Sequence, residues 1–369
     1  MASQSHIYPP KHLAFVSLAL GFLVIWTAVL AGLLVSRAVK DSHIAEETTR
    51  VFHTHEDVGK VTFALGHELV SIVDWLLSKI SKNMTDRDVL SVTWKFTDSV
   101  LENVQETSSQ RWVHSVVTLL DTIEVKLNKF RETLTPNTNP LQVIDFYLEL
   151  NNMIIRKCFL LDYAGQHLPI PSLSYTLFLK GMTQKFGEMA FGTVYVKSDL
   201  PVNKSEFLSL RTGGDELMES AFHFTPRART KWWELQEQEP RVQKVLGAMA
   251  EDLVSGGSLR GHRELAIPYL DGVREQIAML LLTKEVLNST LASWVEKFAQ
   301  KSNNTLAFHT SIACVAILAV VLCLIVTGCS CNSLNQTEQK AEVTQNQDTS
   351  SDRTQILTTP DYLKPQCYL

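Results

Sequence analysis

Residues 55–80 read HEDVGKVTFALGHELVSIVDWLLSKI, and the stripe Val58, Val61, Leu65, Leu69, Ile72, Leu76 and Ile80 advances by three or four residues at each step. That is the period of an α-helix with one buried face, not the alternation of a half-buried strand. The pattern continues downstream, with almost no strand signal between residues 41 and 306. A break is expected at 81–85, with Thr85 as N-cap and Asp86 and Asp88 in the first turn of a helix over 86–105. A third helix is expected over 108–134, carried by Trp112, Val116, Leu119, Leu120, Ile123, Val125, Leu127 and Phe130. Pro140 suits the first position of a fourth, to about residue 163. Beyond Pro169 and Pro171 the spacing predicts helices over 172–198, 203–224, 227–254 and 262–306, with Pro240 and Pro268 kinking or splitting theirs. Eight helices with short connections predict an all-α fold of two stacked antiparallel four-helix bundles.

Upstream of the stripe, residues 13–36 (LAFVSLALGFLVIWTAVLAGLLVS) carry no formal charge over 24 residues. As a helix this run reaches about 36 Å, enough for a hydrocarbon core of about 30 Å. It is too long for a signal-peptide core and reads as an uncleaved signal anchor. Residues 310–328 (TSIACVAILAVVLCLIVTG) form a second uncharged run, of 19 residues. Trp26 lies too deep for an interface anchor and is expected to pack on another helix. Ser17/Gly21 and Ala28/Gly32 have the spacing that seats a partner helix.

Two spans place residues 1–12 and 329–369 on one side of a membrane and 37–309 on the other. Lys and Arg near the spans are too few to set the orientation. Four glycosylation sequons, at Asn83, Asn203, Asn288 and Asn303, all fall in the central segment and favour an extracellular or lumenal location. Of six cysteines only Cys158 lies there, so no disulfide framework holds that segment together. Cys158 is either buried and inert, as its apolar neighbours suggest, or bridges two chains. Cys329 and Cys331 sit at the exit of the second span, a common place for S-palmitoylation, which favours a cytosolic tail. Residues 329–369 are rich in Gln, Thr, Ser, Asp and Asn and are expected to be disordered, with Tyr362 a phosphorylation candidate.

The 369 residues carry 34 Lys+Arg against 39 Asp+Glu, a charge of −5 that gives no polybasic argument for nucleic acid. Mean hydropathy is +0.01 with 20% charged residues, because apolar residues are concentrated in the two runs. His53 and His55, two apart on a helix, diverge by about 200° and read as a surface pair, not a metal site. Residues 256–261 (GGSLRG) lack the Lys-Ser/Thr of a phosphate loop and read as a linker. His223 reads as a satisfied core or interface histidine. Arg227, Arg229 and Lys231 read as a solvated helix start beside Trp232 and Trp233. No Ser/His/Asp set or carboxylate pair stands out, no cofactor motif is present, and no kinase or cyclase signature follows the second run. An enzyme is not expected.

Two short motifs remain: Asp57-Val58-Gly59 within HEDVGKV, and Gly187-Glu188-Met189-Ala190-Phe191-Gly192 within FGEMAFG. With the spans, the helix count and the Met84-Thr85-Asp86 start, they give residues 45–300 a resemblance to the nitrate- and nitrite-sensing (NIT) domain family. Its members carry an acidic-Arg-Gly step in the first helix and G-E-R-A-x-G in the second half. The resemblance implies a membrane receptor with two four-helix bundles, and a ligand site drawn from Asp57, Val58, Gly59, Glu188, Met189 and Ala190. Val58 and Met189 occupy the two arginine slots. A guanidinium meets a planar monoanion with two parallel hydrogen bonds, so this departure predicts no nitrate binding unless Arg156 or Arg211 enters from another helix. The expected function is a non-enzymatic sensor in a membrane, most simply the plasma membrane. It would signal by helix displacement through a second copy or a receptor such as a NIT-bearing guanylate cyclase. The alternative is a protein-binding or organising protein with a vestigial ligand site.

Overall fold

A computed structural model describes residues 10–78, 87–108, 114–164, 170–256 and 263–351. The protein is all-α: among the described residues there are nine helices and no strand. They are α1 (Pro10–Ser78), α2 (Arg87–Ser108), α3 (His114–Thr133), α4 (Pro140–Ala164), α5 (Ile170–Lys197), α6 (Lys204–Phe224), α7 (Pro226–Gln238), α8 (Pro240–Ser255) and α9 (Arg263–Ser351). Pro140, Pro226 and Pro240 each open a helix, where a missing N–H leaves no bond unmade. Asn203 caps α6, its Oδ1 accepting from the Ser205 N–H at 3.1 Å. Gly256 ends α8 at φ +76°, in the left-handed region that favours glycine.

Pro240 splits the single helix expected over 227–254, so α7 and α8 are separate. Pro268 is accommodated inside α9 near its start. The whole stretch expected to break at 81–85, and Pro169, lie outside the described residues. α9 continues to Ser351, where composition suggested an irregular chain. Between 329 and 351 the segment contains neither Gly nor Pro, and its Gln, Glu, Lys and Ala lose little on entering a helix.

The stripe that opens the sequence reading is the buried face of α1: Val58, Val61, Leu65, Leu69, Ile72 and Leu76 are all buried. In α3, Leu119, Leu120, Ile123 and Leu127 are buried, while Val125 is 68% exposed because it falls out of phase with them. One apolar cluster draws on all nine helices, so the core itself marks no boundary between the two expected bundles. α1 and α5 run parallel, since Gly59 faces Tyr175, Gly66 faces Phe186, and Asp74 pairs with Lys197. α5 and α6 run antiparallel: Ser174 donates to the Ala221 carbonyl at 2.9 Å, and Gly187 meets Leu210.

A charged cluster ties four helices together inside this core. Glu68 of α1 is 0% exposed. Arg131 of α3 grips it with two bonds, Nε to Oε1 at 2.8 Å and Nη2 to Oε2 at 2.7 Å. Tyr147 of α4 donates to the same carboxylate at 2.6 Å. Asp98 of α2 accepts from Arg131 Nη1 at 2.6 Å, and the guanidinium lies 5.6 Å from the centre of the Trp94 ring. Burial alone would weaken the charge on Arg131, but the Glu68 bonds outweigh it and hold its pKa above the ordinary value.

Among the described residues, those within 41–302 form one compact unit, and the segments 10–40 and 303–351 form another. Among the described residues two helices, parts of α1 and α9, are long and apolar enough to cross a membrane. Their side chains, among them Phe22, Ile25, Val29, Leu33, Val315, Leu318 and Leu322, are exposed, which suits lipid rather than water. Trp26, expected against another helix, is 56% exposed and stacks on Phe22 one turn earlier. An added Cβ at Gly21 or Gly32 would meet nothing within 4 Å.

Candidate ligand cavity

α5 carries Lys185, Glu188 and Met189, spaced i, i+3 and i+4 and therefore on one face. Opposite them α6 brings Arg211 and Asp215, α7 brings Trp232 and Gln236, α8 brings Gln243 and Met249, and α9 brings Tyr269 and Gln276. These five helices enclose a cavity of about 80 Å³. At about 15 Å³ per water-sized sphere, that is room for roughly five water-sized centres, or a solute of a few heavy atoms.

The walls are polar and charge-balanced. Lys185 Nζ donates to Glu188 Oε2 at 2.8 Å and lies 2.6 Å from Asp215 Oδ1. Arg211 Nε stands 3.9 Å from Glu188 Oε1, beyond hydrogen-bonding range. Gln243 Nε2 donates to Gln276 Oε1 at 3.4 Å. Tyr269 donates to the Met189 carbonyl at 3.1 Å. Burial, reinforced by Glu188 and opposed by Arg211, holds the Tyr269 phenol far above its ordinary pKa, so it stays a donor. Gly192 makes this contact possible: a Cβ there would collide with Tyr269 Oη and come within 2.5 Å of Met249 Cε.

The six family-motif positions do not share one site. Glu188 and Met189 line the cavity. Ala190 is buried in the apolar core. Asp57, Val58 and Gly59 lie farther back along α1. The facing pairs 59/175 and 66/186 put residue 189 opposite about residue 69, about ten residues or 15 Å along the helix from Val58. Val58 is itself buried among apolar side chains. Of the two arginines considered as replacements, Arg211 lines the cavity and Arg156 is exposed on α4.

The first motif has its own polar surroundings. Lys60 Nζ reaches Asp57 at 2.9 Å and Glu56 at 3.3 Å. Burial raises the Asp57 pKa, with Lys60 opposing. For Glu56, burial acts in the same direction but Lys60 outweighs it, and the carboxyl sits below its ordinary value. Tyr175 presses its hydroxyl against Gly59, where no Cβ fits, and that oxygen is buried without a hydrogen-bond partner. Lys284 of α9 is buried with its ammonium 5.5 Å from the centre of the Phe63 ring. Burial lowers its pKa, with Glu285 partly offsetting.

The histidine pair diverges as its spacing demands, but it is not a surface pair. His53 is partly exposed beside Glu56 at 3.6 Å, whereas His55 is 2% exposed, turned toward Tyr175. His223, expected in a core or interface, is exposed beside Phe224. Arg227 is exposed; Arg229 pairs with Glu219 and stacks over Trp233; Trp232 turns inward to the cavity. No group of three or more metal-ligating side chains occurs among the described residues. Asn203 and Asn303 are exposed and Asn288 is half-buried in α9. Cys329 is exposed. Asn83, Tyr362 and the side chains of Cys158 and Cys331 lie outside the described residues.

Sequence reasoning found Glu188, Met189 and Arg211 but missed Lys185, Asp215 and the three glutamines. Lys185 carried a signal, three residues before Glu188 on the same face. The glutamines carried none, because isolated amides on separate helices have no spacing to read. The chain matches no protein-family model, no curated protein and no solved structure.

Proposed function

We propose that this protein is a non-enzymatic, receptor-like membrane protein whose NIT-like helical domain takes a small ligand and signals through a partner. One observation carries this reading. The cavity is lined in part by Tyr269 and Gln276 of α9, and α9 runs on as a single helix into the second apolar run. A ligand that shifts Tyr269 would bias the same helix that enters the bilayer. The central domain would face the exterior at the plasma membrane, with the exposed Asn203 sequon glycosylated and Cys329 and Cys331 acylated on the cytosolic side. Signalling would pass to a second copy or to a receptor such as a NIT-bearing guanylate cyclase.

Nitrate is not the expected ligand. Two carboxylates, Glu188 and Asp215, line the cavity, and Lys185 already serves both. Titration calorimetry of the full-length protein in detergent micelles with nitrate and nitrite should give no binding heat. Micromolar nitrate binding would overturn this reading of the site. Met189→Arg places a guanidinium at the cavity and tests whether an anion site is only disabled. Restoring Val58→Arg as well should add nothing, because that position is core about 15 Å away.

The internal pairing of Lys185 favours a second reading, a protein-binding or organising protein whose ligand centre is vestigial. Blue-native gels and crosslinking in membranes separate the two. A receptor changes its assembly when ligand is added, whereas an organiser holds its partner regardless.

A further inference from the structure

The receptor reading leaves the ligand's chemical class open, and the cavity walls narrow it. Two cations, Lys185 and Arg211, and two carboxylates, Glu188 and Asp215, line one space. A bare anion would add a third negative charge near Glu188, and a bare cation a third positive charge near Lys185. A ligand carrying both charges leaves the balance unchanged and gives each desolvated end a partner.

The partners are available. Arg211 Nε is 3.9 Å from Glu188, so its fork of donors is not closed by a hydrogen bond to that carboxylate. Asp215 is 62% exposed and meets Lys185 through Oδ1, which leaves acceptor capacity on its second oxygen. Gln276 is buried and its amide is engaged only by the long 3.4 Å bond from Gln243. The opening of about 80 Å³ suits a small occupant, of about five or six heavy atoms. We infer that the cavity binds a small zwitterion of the amino-acid class, its carboxylate on Arg211 and its ammonium on Asp215 and Glu188. This rests on the receptor reading only in taking the cavity as a ligand site.

The test is calorimetry on the full-length protein in detergent with glycine, alanine, acetate, methylammonium and nitrate. Glycine or alanine should bind at least tenfold more tightly than acetate or methylammonium. Arg211→Gln and Asp215→Asn should each weaken that binding at least tenfold without shifting the unfolding midpoint, since both side chains reach solvent. Acetate or nitrate binding as tightly as glycine, or glycine binding indifferent to both variants, would overturn the zwitterion while leaving a ligand site and the receptor reading in place. Glycine binding that depends on both residues but leaves native-gel assembly unchanged would sustain the zwitterion and sink the receptor. Silence from all five probes removes both.

Discussion

Glu68 is a costly side chain to leave without partners. It is a fully buried carboxylate whose three donor contacts come from residues 63 and 79 positions away. Removing Arg131 would strand its charge. Arg131→Met should therefore lose about 3–5 kcal/mol, read as the shift of the chemical unfolding midpoint in detergent. Replacing Glu68, Arg131 and Tyr147 together by Leu, Met and Phe should come out much closer to wild type, because no charge is left unpartnered. If the triple variant is worse than the single one, the cluster is not behaving as a compensated unit. Beside it, His67 lies edge-on to Phe96, and burial, partly offset by Glu68, pulls its pKa below 6.5. The unfolded chain then takes up a proton at His67 before the folded one does. Stability should fall as pH drops from about 6.5 toward the lower folded value, and recover as it rises. Thermal midpoints of wild type and His67→Gln between pH 7 and 5 test this. The gap between them should narrow or reverse in the wild type's disfavour as pH falls.

Helix contacts decide which side chains are tolerated where two backbones or a ring come close. Gly192 of α5 leaves the space that Tyr269 of α9 fills. Gly192→Val should cost about 1–3 kcal/mol through overpacking. It should also break the Tyr269 bond to Met189, so any ligand affinity of the cavity falls with it. A variant as stable as wild type with unchanged binding would mean α9 does not report on the cavity. Helix position also separates the sequons. Asn203 caps α6 on an exposed connection, whereas Asn288 sits mid-helix in α9, half-buried and facing Glu56 of α1. A glycan at Asn288 would have to displace α1. Glycopeptide mass spectrometry should find Asn203 occupied and Asn288 bare in folded protein. The reverse would contradict the α1–α9 packing.

For the molecule as a whole, the exposed apolar runs of α1 and α9 are what a bilayer would cover. Acyl-exchange labelling should detect modification that is lost when Cys329 and Cys331 are both changed to Ser; no loss would argue against a cytosolic exit there. Helical class and the two apolar runs were legible in the sequence, because each depends on residues within a few turns: the 58–76 stripe is buried as its period required, and 13–36 and 310–328 read as spans by length alone. Pro140 marked a helix start for the same local reason. The composition of 329–351 misled, since polar residues without Gly or Pro are compatible with a solvated helix as well as with a coil. The i, i+2 spacing reads His53 and His55 as a surface pair, and only packing against Tyr175 of α5 buries His55. The two family-like motifs were visible as letters. That one lies in the core and the other at a cavity, about 15 Å apart, was not. Periodicity states that a helix has an inner face; it carries no information on which other helix that face will meet. The grip of Arg131 on Glu68, and the meeting of Lys185, Arg211 and Gln276, were decided only when nine helices closed on one core, because partners so far apart in the chain are chosen by shape and burial.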